Sequence, residues 1–225
     1  MNRAIFARRS GRWSSAWRAI ALSAVLPTIT LAQVPQPADR SSAPVRALSD
    51  VDVVRAIREG GLILYFRHTA TDFSQTDQNS RSHDDCANQR NLIDRGRDDA
   101  RAIGAAVKAL DIKVDRVIAS PVCRTMETAR LIFGRAEPSM DVRGGPGAVS
   151  APERYAPLHR LFGAGAPPGA VLVLVSHGNP FYAVAGPPYP AEGEGVLIRS
   201  LGKDFEVVAR IKVDEWGKLV AAGTR

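Results

Sequence analysis

The stretch that most constrains this chain is Val171 to Val175, read VLVLV, an unbroken apolar run that ends abruptly in Ser176, His177 and Gly178. A strand with one wet face alternates apolar and polar residues. This run does not alternate, so it requires cover on both faces, as a central strand of a parallel sheet has between layers of helix. A second run, LILYFR at residues 62–67, has the same character and ends in Arg67 followed by His68.

The segments between these runs read as helices. Ser49 is placed to cap a helix with Val51, Val54 and Ile57 at helical spacing, stopped by Gly60 and Gly61. A polar loop spans 69–91, and a loop of that length inside a compact domain usually carries function. Asp94 is read as the cap of a helix running to Leu110, with Ala100, Ile103, Val107 and Leu110 inward and Lys108 near its end. The spacing predicts a strand in DRVIAS (115–120), a helix opened by Pro121 in PVCRTMETARLIFG, and a further helix in APERYAPLHRLFG, bounded by the Pro167-Pro168-Gly169 break. GVLIRS and FEVVARI are β-like, and a short tail follows. Strands alternating with helices define an α/β layered domain, whose chemistry gathers at the carboxyl ends of the strands.

Residues 1–18 contain five arginines and no acid, and the apolar run AIALSAVLPTITLA follows. That run is shorter than the roughly 20 residues a spanning helix needs, so residues 1–32 are read as a secretory signal peptide cleaved after Ala32. An uncleaved anchor and a transit peptide are the competing readings. Proline-rich residues 33–48 form a linker, which leaves 49–225 as the domain. Removing the five leader arginines from the formal charge of +7 leaves +2. With no basic tract interleaved with aromatics, no nucleic-acid footprint is expected, nor any stable membrane insertion once the signal is removed.

Cys86 and Cys123 are the only cysteines. Export to an oxidising compartment permits them to pair, closing a loop worth about 3–4 kcal/mol in the chain-entropy model; two free thiols are the alternative. SHDDC (82–86) has the residue types of a metal site, but ligands so close in sequence need distant partners. No metal or cofactor is expected.

Three strand ends are polar: Arg67-His68, Ser120-Pro121 ahead of Arg124, and Ser176-His177. Two imidazoles and two guanidiniums at one sheet edge form a positive pocket suited to a phosphate. Guanidinium forks match its oxygens, and a neutral histidine among them can attack phosphorus.

Four blocks in order, RHTATD, NLIDRGRDDARAIG, SPVCRTMETA and VLVSHG, resemble the histidine phosphatase (phosphoglycerate mutase-like) superfamily, branch 1. The resemblance implies a three-layer α/β/α sandwich with a mostly parallel central sheet and a metal-independent phosphohistidine mechanism. It implies that His68 is the nucleophile and that Arg67, Arg124 and His177 complete the phosphate pocket. Within it, a Cys86–Cys123 bridge would pin the long loop beside Arg124. Thr69 stands where the family usually has glycine or alanine, which adds a hydroxyl beside the nucleophile and a candidate phosphate contact; Ile93 stands at the usual threonine cap, leaving that role to Asp94.

The family's general acid has no evident counterpart. Asp141 and Glu153 lack a motif around them, and His177 is followed by Gly178 and Asn179 rather than aspartate. Glu192 and Glu194 in PAEGEG are the candidates, with Asp72 a third for the acid or the phosphate pocket. The expected function is hydrolysis of a small phosphorylated molecule, a periplasmic or envelope sugar phosphate, by an exported enzyme. A catalytically weak phosphate-binding or interaction module of the same fold is the alternative.

Overall fold

The two apolar runs lie side by side in the middle of a six-stranded sheet. The computed structural model describes residues 48–144 and 151–224; the expected signal peptide and nearly all of the linker lie outside the described residues. The strands are β1 (Leu62–Arg67), β2 (Val114–Ala119), β3 (Glu137–Pro138), β4 (Val171–Ser176), β5 (Gly195–Ser200) and β6 (Phe205–Ile211). Their order is β3-β2-β4-β1-β5-β6. The first four are mutually parallel; β5 runs antiparallel to β1, and β6 antiparallel to β5.

The helices are α1 (Asp50–Glu59), α2 (Asp94–Ala109), α3 (Cys123–Phe133), α4 (Ala156–Ala164), α5 (Gly178–Ala185) and α6 (Trp216–Gly223). Because side chains alternate along a strand, β1 sends Leu62, Leu64 and Phe66 to one face and Ile63 and Tyr65 to the other. The first set packs with Ile57, Ile103, Ala129 and Trp216 from α1, α2, α3 and α6. The second packs with Leu158, Phe162 and Phe181 from α4 and α5. The result is the three-layer α/β/α sandwich with a mostly parallel sheet. All of β4 is buried, as its uninterrupted apolar sequence requires, and each such aliphatic side chain contributes about 1.5–3 kcal/mol.

Several boundaries differ from the sequence expectation. Ser49 does cap α1, accepting the Asp52 N–H, but Val53 joins Val54 and Ile57 in the core while Val51 is 47% exposed. Asp94 is not the cap of α2: Ile93 takes that place without a side-chain bond, and Asp94, one position inside, accepts from Arg97. Its charge there still opposes the positive end of the helix dipole. Pro121 precedes rather than opens α3, whose cap is Val122. A 3₁₀ turn, Pro152–Tyr155, takes the first half of the helix expected at 151–163. The tail folds as α6, burying Trp216 and Leu219, and α5 follows β4 directly with Pro180 tolerated in its first turn. Among the described residues, no helix is long and apolar enough to cross a membrane.

Candidate active site

Register alone brings the polar strand ends together. Arg67 pairs with Ser176 across β1 and β4, and Ala119 pairs with Val175 across β2 and β4. The next residues, His68, His177 and Ser120, therefore emerge side by side at one edge. The two imidazole centroids are 5.6 Å apart, and His177 Nε2 is 2.9 Å from Ser120 Oγ. Tyr65 donates to the His177 carbonyl at 2.6 Å, and burial pushes its phenol pKa up, which keeps that donor protonated.

His68 is 1% exposed. Its Nδ1 lies 2.9 Å from the Thr69 carbonyl, which can only accept, so Nδ1 carries the proton. A neutral ring has one such proton, which leaves Nε2 with a free lone pair. Burial first, and then the positive charges of Arg124, Arg67 and Arg90, push this imidazole down to about 3, against the opposing pull of the Thr69 carbonyl. His177 is also held well below the ordinary range, by burial and then by His68, Arg124, Arg143 and Arg90. Both shifts favour the neutral ring.

The arginines are anchored but not saturated. Arg67 donates to the Pro190 carbonyl at 2.9 Å and to Glu192 Oε1 at 3.4 Å. Arg124, 7% exposed, donates through Nη1 to Asp77 Oδ1 at 3.0 Å and to the Arg90 carbonyl at 3.3 Å; its Nη2 is 3.0 Å from Asp77 Oδ2. In both residues Nε is buried and has no hydrogen-bond partner. A buried N–H without an acceptor is costly unless something else supplies one.

Four of the remaining expected residues sit differently from the sequence reading. The Thr69 hydroxyl does not face the pocket: it lies 3.3 Å from Thr128 Oγ1, whose own proton goes to the Arg124 carbonyl at 2.7 Å. Thr69 is therefore the donor of that pair, and it buttresses α3 behind Arg124. Asp72 does not join the pocket either; it accepts from Ser74 N–H and Oγ, bonds that hold its pKa below the ordinary value and make it a turn former. Glu194 is bound to Arg210 at 2.8 Å and accepts the Ala191 N–H at 2.7 Å.

Glu192 does reach His68, beside Nδ1. Its Oε1 is 3.9 Å from Nδ1 and accepts from Thr71 Oγ1 at 2.7 Å. Gly193, at φ +77°, makes this return possible, because its N–H closes onto the His68 carbonyl at 2.9 Å. On the opposite flank, α2 crosses so close to Ala70 that any side chain at Gly96 would overlap the Ala70 backbone. That is the physical reason for glycine in the NLIDRG block.

Cys86 and Cys123 are joined in a disulfide. In the adjoining SHDDC stretch, Asp84 accepts from Ser82, and Asp85 accepts from Asn88 and the Arg81 N–H, so these carboxylates serve local turns and do not converge on a common point. The sequence reading missed Asp77, Arg90 and Arg143 because none stands in a motif block and a polar loop gives no periodic signal. Ser120 is one of the polar strand ends already read from the sequence, and Thr128, in the same SPVCRTMETA block, could have been found there. Tyr189 was missed as well: its ring lies 5.3 Å from the Arg67 guanidinium carbon, packs against Gly178 and pairs with Tyr182 at 5.9 Å, both tyrosines about half exposed.

Residues 63–145 match the family model described as histidine phosphatase superfamily (branch 1). The matched segment, a little over a third of the chain, contains His68 and Arg124, and the chain resembles that superfamily there. Among solved structures it is similar to a mycobacterial glucosyl-3-phosphoglycerate phosphatase in complex with inorganic phosphate, at 14% identity and a TM-score of 0.50, covering 68% of this chain and 98% of the other. It is similar also to the protein histidine phosphatase SixA complexed with tungstate (19% identity, TM-score 0.48, 68% and 98% covered). A phosphoserine phosphatase mutant from Entamoeba histolytica in complex with phosphoserine gives 12% identity and a TM-score of 0.47, with 66% and 95% covered. Comparison with curated proteins gives no match.

Proposed function

We propose that this protein hydrolyses a phosphomonoester through a phosphohistidine on Nε2 of His68. The observation that carries the reading is the pairing of a lone pair on a buried, neutral His68 Nε2 with two buried guanidinium Nε–H groups that lack an acceptor. A phosphoryl oxyanion is the acceptor that fits. Nε2 attacks the phosphorus of the ester monoanion, the ester P–O bond breaks, and the leaving oxygen takes the monoanion's own proton and departs as the alcohol. Water then attacks phosphorus, the P–N bond breaks, and inorganic phosphate and neutral His68 are regenerated. The imidazole becomes cationic in the first step, and the Thr69 carbonyl and the Glu192 carboxylate beside Nδ1 stabilise that charge. Glu192 thus acts on the nucleophile rather than on the leaving oxygen. Arg67 and Arg124, with Arg90 and Arg143 behind them, supply the charge neutralisation that a metal supplies in other phosphoryl-transfer sites.

The substrate we place among phosphorylated sugars met outside the cytoplasm. Supporting this, Tyr189 and Tyr182 present flat apolar surface beside Arg67 that suits the C–H face of a sugar ring, and the disulfide suits an exported chain, its signal peptide removed. One observation favours the binding-module alternative: Glu192, Glu194 and Asp72 are all engaged by other partners, Thr71, Arg210 and Ser74 respectively. Purified protein lacking residues 1–32 should hydrolyse p-nitrophenyl phosphate and, on acid quenching, carry phosphate on His68 by peptide mass spectrometry. His68→Ala should lose on the order of 10⁴-fold or more in rate. Orthovanadate binding without turnover in the wild type would replace hydrolysis by the binding-module reading.

A further inference from the structure

Arg124 offers two forks to an anion, the end-on pair Nη1/Nη2 and the side-on pair Nε/Nη2. Asp77 takes the end-on fork with both carboxylate oxygens at 3.0 Å, and the Arg90 carbonyl takes a further Nη1 proton. The side-on fork is left, and its Nε is one of the buried unpartnered donors. The geometry points to Asp77 as the positioning residue that turns the side-on edge of Arg124 toward the phosphate, and to the Cys86–Cys123 disulfide as the fastener that keeps Asp77 in place. This rests on the phosphatase reading above.

The loop has little else to hold it. Between Asp72 and Arg90, Gln89 is the only buried residue, so apolar burial gives this segment almost no hold. Polar bonds remain. Asp77 Oδ1 accepts the Arg90 N–H at 2.8 Å, and Gln89 accepts the Cys123 N–H at 3.0 Å while donating to the Ser82 and His83 carbonyls. All of these are exchangeable for water. The disulfide is not, and it joins the loop to the residue immediately before Arg124. Cys86 is exposed, so a small thiol in solution can reach it.

A positioning role differs from a competing one. Were Asp77 an internal substitute for phosphate, it would hold the edge that phosphate needs; instead it leaves that edge free.

The test is orthovanadate affinity by calorimetry, with kcat and KM for p-nitrophenyl phosphate, on wild type, Asp77→Ala, Asp77→Asn, Arg124→Ala and the Asp77→Ala/Arg124→Ala pair, each with the disulfide intact or opened by dithiothreitol, the thiols then alkylated and the reductant removed before vanadate is added. Asp77→Ala should weaken vanadate binding by between about tenfold and a hundredfold while the thermal midpoint of the core hardly moves. Asp77→Asn, which keeps one acceptor, should fall between it and wild type. On the Arg124→Ala background, Asp77→Ala should have no further effect. Reduction should weaken wild type toward Asp77→Ala and leave Asp77→Ala unchanged. Unaltered or tighter vanadate binding in Asp77→Ala overturns the inference while the phosphatase reading stands. Failure of the wild type to bind vanadate at all removes the phosphatase reading first.

Discussion

The ends of β1, β2 and β4 and the loop at 72–91 both contribute to one pocket, yet they are built on opposite principles. His68 and Ser120 are buried at strand ends whose register is fixed by apolar packing on both sheet faces, so a one-residue slip would send every strand side chain to the opposite face, where the packing is shaped for another. The loop buries almost nothing and is tied by a covalent bond and a few side-chain hydrogen bonds. His68, the proposed nucleophile, thus stands on the region that cannot shift without unfolding the sheet, while the proposed orientation of Arg124 depends on a region that can.

The largest effect that separates the two regions should come from the arginines. Arg67→Ala and Arg124→Ala should each lower kcat/KM by about 10²–10³-fold, roughly 3–4 kcal/mol of transition-state stabilisation. The two should then respond differently to reduction. Dithiothreitol should cost Arg67→Ala the same factor as wild type and cost Arg124→Ala nothing, as followed by steady-state kinetics. Equal sensitivity would erase the distinction between strand-held and loop-held arginine.

Acid separates the regions at a smaller scale. His68 is pushed down to about 3 from 6.5, so the folded state binds fewer protons than the unfolded chain between those values. Its stabilisation is complete above pH 6.5 and declines as pH falls toward 3, with about 2 kcal/mol already lost at pH 5. Asp77 moves in the other part of the scale. Burial raises its pKa, but the Arg90 N–H and Arg124 outweigh that and hold it below 3.8, so its contribution is complete above 3.8 and fades only at lower pH. Urea titrations at pH 8 and pH 5 should show the core weakening while the Asp77–Arg124 pair is still intact, and His68→Asn should flatten the loss. A wild-type midpoint unchanged from pH 8 to 5 would contradict the burial of a neutral His68.

The same contrast decides what could be read from the sequence. The strand-end residues were legible because burial on two faces leaves a compositional mark, and because three strands each broke from apolar to polar at the end where α/β sheets do chemistry. Even Gly96 and Arg124 fell within recognisable blocks. Asp77 was not legible: nothing in DFSQTDQNS (72–80) distinguishes it from Asp72, which forms a turn. Glu192 and Glu194 were read as equals because they are two residues apart beside one glycine. In the fold Glu194 lies next to the start of β5 and meets Arg210, whereas Glu192 precedes the Gly193 turn and swings back toward His68. The tail was missed as a helix because its length is that of two turns, too short for periodicity to register.

The smallest effect tests the two glutamates against each other. Glu192→Gln keeps the acceptor for Thr71 but removes the negative charge 3.9 Å from His68 Nδ1. The cationic imidazole of the phosphoenzyme should then be less stable, and kcat should fall by about tenfold, near 1.4 kcal/mol, with good and poor leaving groups affected alike. A true general acid would behave otherwise, because its loss harms poor leaving groups most. Glu194→Gln should leave kcat within about twofold and act instead on stability, since it weakens the ion pair to Arg210. A leaving-group series in which Glu192→Gln selectively impairs alkyl over aryl phosphates would move Glu192 to the leaving-group side of the reaction, and the present geometry, with the carboxylate behind Nδ1, would then have to rearrange when substrate enters.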